Sequence, residues 1–256
     1  IRVSGLSWLW ISEGFVRKTE GKDLEDVADN YLKALVDRSL VMVIKQRSMG
    51  GAKSCRLHNL VHEFCVGKIK EENFIHIIRR GKDPFSLASL SSPYRVHDAN
   101  STKLKTRELM LSFPNLRTIM LDQGSSFSPL DLEFSLPKLL RVLLLGGVKF
   151  VADFPTELVL LVHLRFLLVD TKGVISIPSA IANLSRLQTF WIEGNSMCYL
   201  PKTIWNIKTL RHLYAGDDCG FIFTIENLEV SPRLDHLKTL NLAIDPSSQS
   251  LQKILT

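Results

Sequence analysis

One short pattern recurs through the second half of the chain: Leu164-Arg-Phe-Leu-Leu-Val169, then Leu187-Gln-Thr-Phe-Trp-Ile192, then Leu210-Arg-His-Leu-Tyr-Ala215. In each segment the first, fourth and sixth residues are apolar, and successive segments start 23 residues apart. The alternation within each segment is typical of a β-strand with one buried face. A unit of this length cannot bury its own apolar side, so we expect neighbouring units to stack and share one core.

The pattern extends in both directions from these three segments. Its first leucines step along the chain by 24, 24, 23, 23 and 27 residues, at Leu116, Leu140, Leu164, Leu187, Leu210 and Leu237. A second pattern, an apolar residue followed by proline, lies between the strands at Phe154-Pro155, Ile177-Pro178 and Leu200-Pro201. Each of these opens a return segment with two more apolar residues. Two patterns that share one period predict a leucine-rich-repeat solenoid.

The first part of the chain follows other patterns. Apolar residues at helical spacing within residues 6–16 predict one helix, which Gly14 ends or bends, and a second helix is predicted over 24–38. Two β-rich runs, which begin at Leu40 and at Ala52, flank a polar glycine-containing turn and predict a hairpin. Helices followed by a hairpin favour a winged helix.

A last helix of this part is predicted to run from Asn59, as its N-cap, to about Phe74. The predicted fold class is therefore α/β, a small winged-helix domain followed by a leucine-rich-repeat solenoid. The predicted domains are the winged helix at 1–78, a connector with a degenerate capping repeat at 79–108, and the repeats at 109–256.

Three segments of the N-terminal part carry a family resemblance: Trp10-Ile-Ser-Glu-Gly-Phe-Val16, Leu24-Glu-Asp-Val-Ala-Asp-Asn-Tyr-Leu-Lys-Ala-Leu-Val-Asp-Arg-Ser-Leu40 and Cys55-Arg-Leu-His-Asn-Leu-Val-His-Glu-Phe64. They resemble plant intracellular nucleotide-binding leucine-rich-repeat disease-resistance receptors of the coiled-coil, late-blight-resistance-like class. The resemblance implies a fragment that covers the winged-helix end of the nucleotide-binding module (NB-ARC) and the first repeats. It also implies a role in defence and hypersensitive cell death.

The segment Leu57-His58-Asn59 matches the Met-His-Asp motif of that family. The resemblance implies that His58 senses the β-phosphate of ADP, because an imidazole N–H donates to phosphate and a helix N-terminus adds positive potential. Asn59 replaces the family's aspartate and removes a charge, so we hypothesise a looser resting state. The alternative is that this pair only ends a strand and caps a helix.

The residue after each first leucine is polar and usually basic, which predicts a column on the concave face of the sheet with members about 4.8 Å apart. The column is Arg117, Arg141, Arg165, Gln188, Arg211 and Lys238, and an apolar column three residues further on is Met120, Leu144, Leu168, Trp191, Tyr214 and Asn241. The basic residues, with Trp191 and Tyr214 as anchors, are candidates for binding a protein. The alternative is a solvated face.

The resemblance implies several partners for these columns: a pathogen effector, a guarded host protein, or the nucleotide-binding module of the same receptor, with an oligomer forming on activation. ADP and ATP are the cofactors expected of a full-length receptor. The 256 residues contain no Gly-x-x-x-x-Gly-Lys-Ser/Thr loop, so we expect no tight nucleotide binding by them alone. No catalytic constellation and no metal-ligand spacing occurs in the sequence, so we expect neither an enzyme nor a metal site.

Composition favours the same class of protein. The net charge of +6 is mild, and four isolated cysteines suit a reducing compartment, so we expect a cytoplasmic fragment that associates with a membrane only on activation. No apolar run has the roughly 20 residues that cross a bilayer. A DNA-binding winged helix is one alternative, through Lys45, Arg47, Lys53 and Arg56, but acidic residues on its would-be recognition helix argue against nucleic acid. An F-box-like adaptor is another.

Overall fold

The computed structural model describes residues 1–48, 50–79, 94–99, 113, 115–121, 136–150, 154–222 and 236–240. The chain divides into two compact units, Ile1–Ile75 and His76–Thr256. Among the described residues, no helix combines the length and the apolar content needed to cross a membrane. The predicted order, a winged helix followed by stacked repeats, is confirmed.

The first unit has the predicted helices and hairpin. Its elements are α1 (Val3–Glu13), α2 (Leu24–Asp37), β1 (Val41–Gln46), β2 (Ala52–Leu57) and α3 (Asn59–Glu71). Gly14 ends α1 in a left-handed conformation, with φ of 85°, and its N–H donates to the carbonyl of Ile11. Glycine adopts this conformation without a steric penalty, which is why α1 stops where the sequence predicts.

The core of the first unit is made by α1, α2 and the hairpin. One cluster of buried residues joins Val3, Leu32, Val41 and Cys55, and a second joins Ile11, Val16, Val27 and Ala28. The last helix, α3, contributes no buried residue to either cluster. The apolar stripe that predicts α3 therefore stays largely at the surface of this unit.

The second unit is built on one parallel sheet. Its strands are β3 (His76–Arg79), β4 (Arg95–Ala99), β5 (Thr118–Leu121), β6 (Val142–Phe150), β7 (Phe166–Ser176), β8 (Thr189–Tyr199), β9 (His212–Ala215), β10 (Cys219–Ile222) and β11 (Thr239–Leu240). Strands β3 to β9 lie side by side in chain order, β11 pairs with β9, and β10 pairs with the second half of β8.

Three short 3₁₀ helices return the chain between the strands, each starting after one of the predicted prolines. They are η1 (Thr156–Leu160), η2 (Ser179–Asn183) and η3 (Lys202–Asn206). Each has a proline as its N-cap, which suits the fixed φ of that residue. The apolar residues that precede the prolines, Phe154, Ile177 and Leu200, are all buried.

The core of the second unit consists of the residues that the repeat pattern singles out. In β8 and just before it, Leu187, Phe190 and Ile192 are completely buried. The same positions are buried in the repeats around β5, β6, β7 and β9. Fully burying one such side chain contributes about 1.5 to 3 kcal/mol, so this shared core is the main reason that the repeats stack.

The sheet begins further towards the N-terminus than the repeat pattern alone indicates. Strand β3 pairs with β4, and β4 pairs with β5, so both lie in the same sheet as the repeats. In sequence, the second compact unit accordingly begins at His76, within the range 1–78 predicted for the winged helix. The sequence also predicts a short strand of the capping repeat at Glu108–Leu111 and an incomplete repeat at 245–256. Both of these, and the column member Asn241, lie outside the described residues.

Candidate functional site

The face of the parallel sheet opposite its core, called here the open face, carries three rows of side chains. The basic row is Arg117, Arg141, Arg165, Gln188, Arg211 and Lys238. The central row is Thr118, Val142, Phe166, Thr189, His212 and Thr239, and the apolar row is Met120, Leu144, Leu168, Trp191 and Tyr214. Members of the central and apolar rows pair across β5 to β9 in register.

The basic row is aligned by main-chain hydrogen bonds. The N–H of Arg141 donates to the carbonyl of Arg117 at 2.7 Å, and the N–H of Arg165 donates to Arg141 at the same distance. Gln188, Arg211 and Lys238 continue the series at 2.7 to 2.8 Å. The main chain therefore holds each member one strand spacing from the next, as the predicted column requires.

Tyr94 occupies the position before Arg117 in this series. The N–H of Arg117 donates to the carbonyl of Tyr94 at 2.8 Å, and the Arg117 guanidinium lies over the Tyr94 ring at 4.9 Å from its centroid. A cation over an aromatic face is attracted by the ring quadrupole. This contact terminates the basic row at its N-terminal end, and the repeat pattern gave no signal for it because Tyr94 precedes the first leucine of the series.

Gln188 interrupts the positive charge of the basic row. Its Oε1 is buried and accepts no hydrogen bond from the part of the chain that the structure describes. A buried acceptor without a donor costs about 1 to 3 kcal/mol, so such an atom requires an explanation. Gln188 lies between Arg165 and Arg211 in the basic row, on the open face.

The central row lies between the other two rows and is almost inaccessible. Thr118, Val142, Phe166, Thr189 and His212 are each at most 2% exposed. Nδ1 of His212 lies 3.1 Å from the Thr239 hydroxyl. The basic and apolar columns predicted from the sequence do not include this row, although strict alternation from the buried fourth residue of each repeat places it on the open face.

The apolar row has its aromatic members side by side. The rings of Trp191 and Tyr214 meet edge to face with centroids 4.9 Å apart, and Trp191 also lies 6.3 Å from Phe166 of the central row. Trp191 is only 7% exposed, whereas Tyr214 is partly exposed. Trp191 therefore supports the Tyr214 ring, and Tyr214 offers more surface to a partner than the predicted tryptophan anchor does.

Two carboxylates lie beyond the apolar row, on the side away from the basic row. Asp170 and Glu193 are directly paired in β7 and β8, two residues after Leu168 and Trp191. Asp170 is buried, and Glu193 is partly exposed. Along these two strands the open face therefore runs from positive or neutral polar residues through apolar residues to negative ones.

The predicted nucleotide-sensing pair lies where β2 meets α3. The structure contradicts the prediction that Asn59 is the N-cap of α3, because Asn59 is the first helical residue. The N-cap is His58, which has extended backbone angles, φ of −64° and ψ of 145°, and the helix begins at the next residue. The prediction followed residue type, since asparagine is the stronger capping residue. It was wrong because the extended geometry of the strand ends at His58, which therefore occupies the cap position.

The cap fixes the roles of the two ring nitrogens of His58. Nδ1 accepts a hydrogen bond from the N–H of Leu60 at 3.4 Å, so in the neutral ring the proton is on Nε2. His58 and Asn59 are both exposed. In a neutral His58 the remaining ring donor is therefore Nε2–H.

The surface around His58 is unusually apolar. Leu60 is 70% exposed and Phe64 is 64% exposed, and Leu57 is exposed on the strand side. Behind this surface, burial raises the pKa of the Cys55 thiol, while the N-terminal ammonium of Ile1 lowers it to a smaller extent. Among the described residues, no group of three histidine, cysteine or carboxylate side chains has an arrangement that would hold a metal ion.

Comparison with known families matches both units. Residues 1–65 match the model of the disease resistance protein winged helix domain, and residues 111–255 match the model of a leucine-rich repeat region. The second match covers more than half of the chain, and both agree with the elements described above.

Individual relatives are similar along nearly the whole chain. The late blight resistance protein R1-A of Solanum demissum is 36% identical over 264 residues, which cover 94% of this chain and 20% of that protein. A putative late blight resistance protein homolog of the same plant is 35% identical over 258 residues, with the same two coverages. The chain thus spans about a fifth of the length of the curated relatives it matches.

Proposed function

The chain belongs to the disease-resistance proteins that join a winged-helix domain to a leucine-rich-repeat region, and from this premise we propose that the open face of its repeats binds a protein. In a full-length receptor the bound protein is a pathogen effector, a guarded host protein, or the receptor's own nucleotide-binding module. Binding is coupled to defence signalling and cell death. The fragment works in the cytoplasm and catalyses no reaction.

One observation carries this proposal: five of six successive repeats have a basic residue at the same position, beside a parallel row of apolar residues. A row of positive charges gives the surface a potential that favours an acidic partner. The apolar row supplies the desolvated contact that gives an interface its affinity, and Tyr214 is the type of residue that dominates binding energy. Together the rows have the composition of a protein-binding surface.

The experiment reverses three charges of the basic row in the full-length receptor, as Arg141→Glu, Arg165→Glu and Arg211→Glu. The matched control reverses three exposed charges outside the open face, as Arg186→Glu, Lys202→Glu and Lys208→Glu. We expect the first variant, and not the control, to lose recognition of the pathogen or to cause spontaneous cell death. Two variants that both behave like the wild type would show that the basic row is only a solvated surface.

A second proposed role belongs to His58 and is supported by its cap geometry. With Nδ1 bound to the helix, Nε2–H is the donor left for an ADP phosphate, next to the positive end of α3. The remaining phosphate contacts come from the nucleotide-binding module of the full-length receptor. We therefore expect the 256-residue chain alone to bind ADP no more tightly than millimolar, as measured by isothermal titration.

In the full-length receptor, His58→Ala is compared with His62→Ala, which removes an exposed imidazole one turn further along the same helix. We expect His58→Ala to lower the amount of ADP that copurifies with the receptor and to raise background cell death. His62→Ala should leave both unchanged. Equal ADP retention by the two variants would mean that His58 serves only as the cap of α3.

A further inference from the structure

We infer that the segment bound by the open face is an amphipathic α-helix that lies across the strands, with an acidic stripe on the basic row and an adjacent apolar stripe on the apolar row. This inference rests on the proposed function, because it names the kind of partner that the same surface binds. Three features of the open face support it: the spacing along the rows, the distance between the rows, and the placement of charge.

The spacing along the rows matches a helix better than an extended chain. Successive members of the basic row are about 4.8 Å apart, and an α-helix repeats every 5.4 Å or so per turn. Over three strand intervals these two repeats drift apart by only about 2 Å, which long arginine side chains absorb. An extended segment presents one face roughly every 6.6 Å and drifts by more than 5 Å over the same length.

The distance between the rows also fits a helix. Arg165 and Leu168 are three residues apart in one strand, which corresponds to roughly 10 Å. A helix with its side chains is about 10 to 12 Å wide, so a helix over the central row touches both flanking rows. The central row is buried, although Phe166 and His212 in it are large, so it presents little surface of its own between the two contact rows.

The placement of charge sets the orientation of the helix. The acidic stripe faces Arg141, Arg165 and Arg211, because Asp170 and Glu193 lie beyond the apolar row and would repel it there.

The test uses the 256-residue chain and a fluorescent 18-residue helical peptide, with glutamates on one stripe and leucines on the adjacent stripe. Three control peptides have lysine in place of glutamate, glutamates moved to the stripe opposite the leucines, or a central proline that breaks the helix. Binding is followed by anisotropy at low and at high salt. We expect the first peptide to bind at least about tenfold more tightly than each control, with affinity that falls as salt rises.

The protein variants complete the test. The triple charge reversal at Arg141, Arg165 and Arg211 should weaken binding of the glutamate peptide by about 100-fold or more and favour the lysine peptide. The matched reversal at Arg186, Lys202 and Lys208 should change it less than about threefold. The neutral pair Arg141→Gln and Arg165→Gln, which adds no repulsion, should weaken binding by about tenfold and reduce its salt dependence. Circular dichroism establishes that each variant is folded.

Four results would overturn the inference: no binding of the glutamate peptide, equal binding of the proline-broken peptide, equal binding of the peptide with opposite stripes, or displacement by an oligothymidylate of equal affinity. The second would indicate an extended segment, and the last a surface for phosphate chains. If the triple reversal abolishes recognition in the full-length receptor while the peptide does not bind, the proposed function stands and the helical partner fails. If the triple reversal changes neither recognition by the full-length receptor nor binding of the peptide, both the proposed function and the helical partner are ruled out.

Discussion

The two compact units bury their apolar residues in contrasting ways. In the second unit, the first, fourth and sixth residues of the repeat pattern are buried in one strand after another, and neighbouring repeats share them. In the first unit, α3 has apolar residues at helical spacing but buries none of them within that unit. Each repeat therefore covers apolar residues of its neighbours, whereas α3, which begins after His58, leaves apolar side chains exposed. The same kind of substitution should therefore have effects of very different size in the two places.

The comparison is tested most directly by truncating one phenylalanine in each unit. Phe190 is completely buried and its ring meets those of Phe154 and Phe221 at centroid distances of 6.4 and 5.9 Å, whereas Phe64 is 64% exposed. We expect Phe190→Ala to lower the free energy of unfolding of the repeats by about 3 to 5 kcal/mol and Phe64→Ala to change that of the first unit by less than about 0.5 kcal/mol. Hydrogen exchange read by mass spectrometry separates the units. Similar losses would refute the contrast.

Two glycines in adjacent strands test how closely the backbones of neighbouring repeats pack. Both have positive φ, 85° at Gly173 and 106° at Gly194, but a Cβ on Gly194 would lie 2.1 Å from the Thr171 carbonyl oxygen, while one on Gly173 would meet nothing within 4 Å. Gly173→Ala should cost about 1 to 2 kcal/mol from backbone strain alone. Gly194→Ala should cost at least about 2 kcal/mol more, measured by urea unfolding, because the backbone of β7 must move. Equal costs would mean that the strands separate easily.

In the first unit, the buried thiol of Cys55 predicts sensitivity to alkali. Burial raises the pKa of Cys55, so its contribution to stability is present below about pH 8.5, the ordinary value for an unfolded thiol, and is lost as pH rises above it. We expect the urea midpoint of the first unit to fall between pH 7 and pH 9.5, and to fall less in Cys55→Ala. Cys65→Ala, which removes a less buried thiol on α3, should retain the full pH dependence. The same dependence in all three proteins would contradict the prediction.

The fold was predictable because local periodicity and tertiary packing agree. The leucines that recur every 23 or 24 residues predict the strands and the shared core, and the apolar-proline pairs predict the return segments. Strand β3 was not predicted, because it precedes the regular pattern. The capping repeat predicted at 79–108 includes a short strand at Tyr94–His97, which overlaps β4 (Arg95–Ala99). Their place in the sheet depends on hydrogen bonds to neighbouring strands, which side-chain spacing does not encode.

The candidate sites were only partly predictable. The basic row follows from counting one residue past each leucine, and the structure aligns it as expected. The burial of Trp191 beneath its neighbours and the unsatisfied Oε1 of Gln188 depend on side-chain packing across strands. At α3, residue type favoured Asn59 as the cap, but the backbone geometry at His58 decides which residue is the last non-helical one.

The smallest predicted effect concerns the charge that Asn59 lacks. Asn59 is the first residue of α3, and Asn73 follows its C-terminal end, with φ of 48°. The helix dipole favours a negative charge at the first position and disfavours it at the second, so Asn59→Asp should stabilise α3 by about 0.3 to 1 kcal/mol and Asn73→Asp should destabilise it by a similar amount. Hydrogen exchange of the α3 amides measures both changes.

Salt distinguishes this explanation from a change in capping. Both effects should largely disappear at about 1 M NaCl, where the screening length is near 3 Å, because they are electrostatic. A stabilisation by Asn59→Asp that persists at high salt would mean that the new side chain forms a specific hydrogen bond. Since Nδ1 of His58 already accepts the N–H of Leu60, the residue at 59 does not supply that cap.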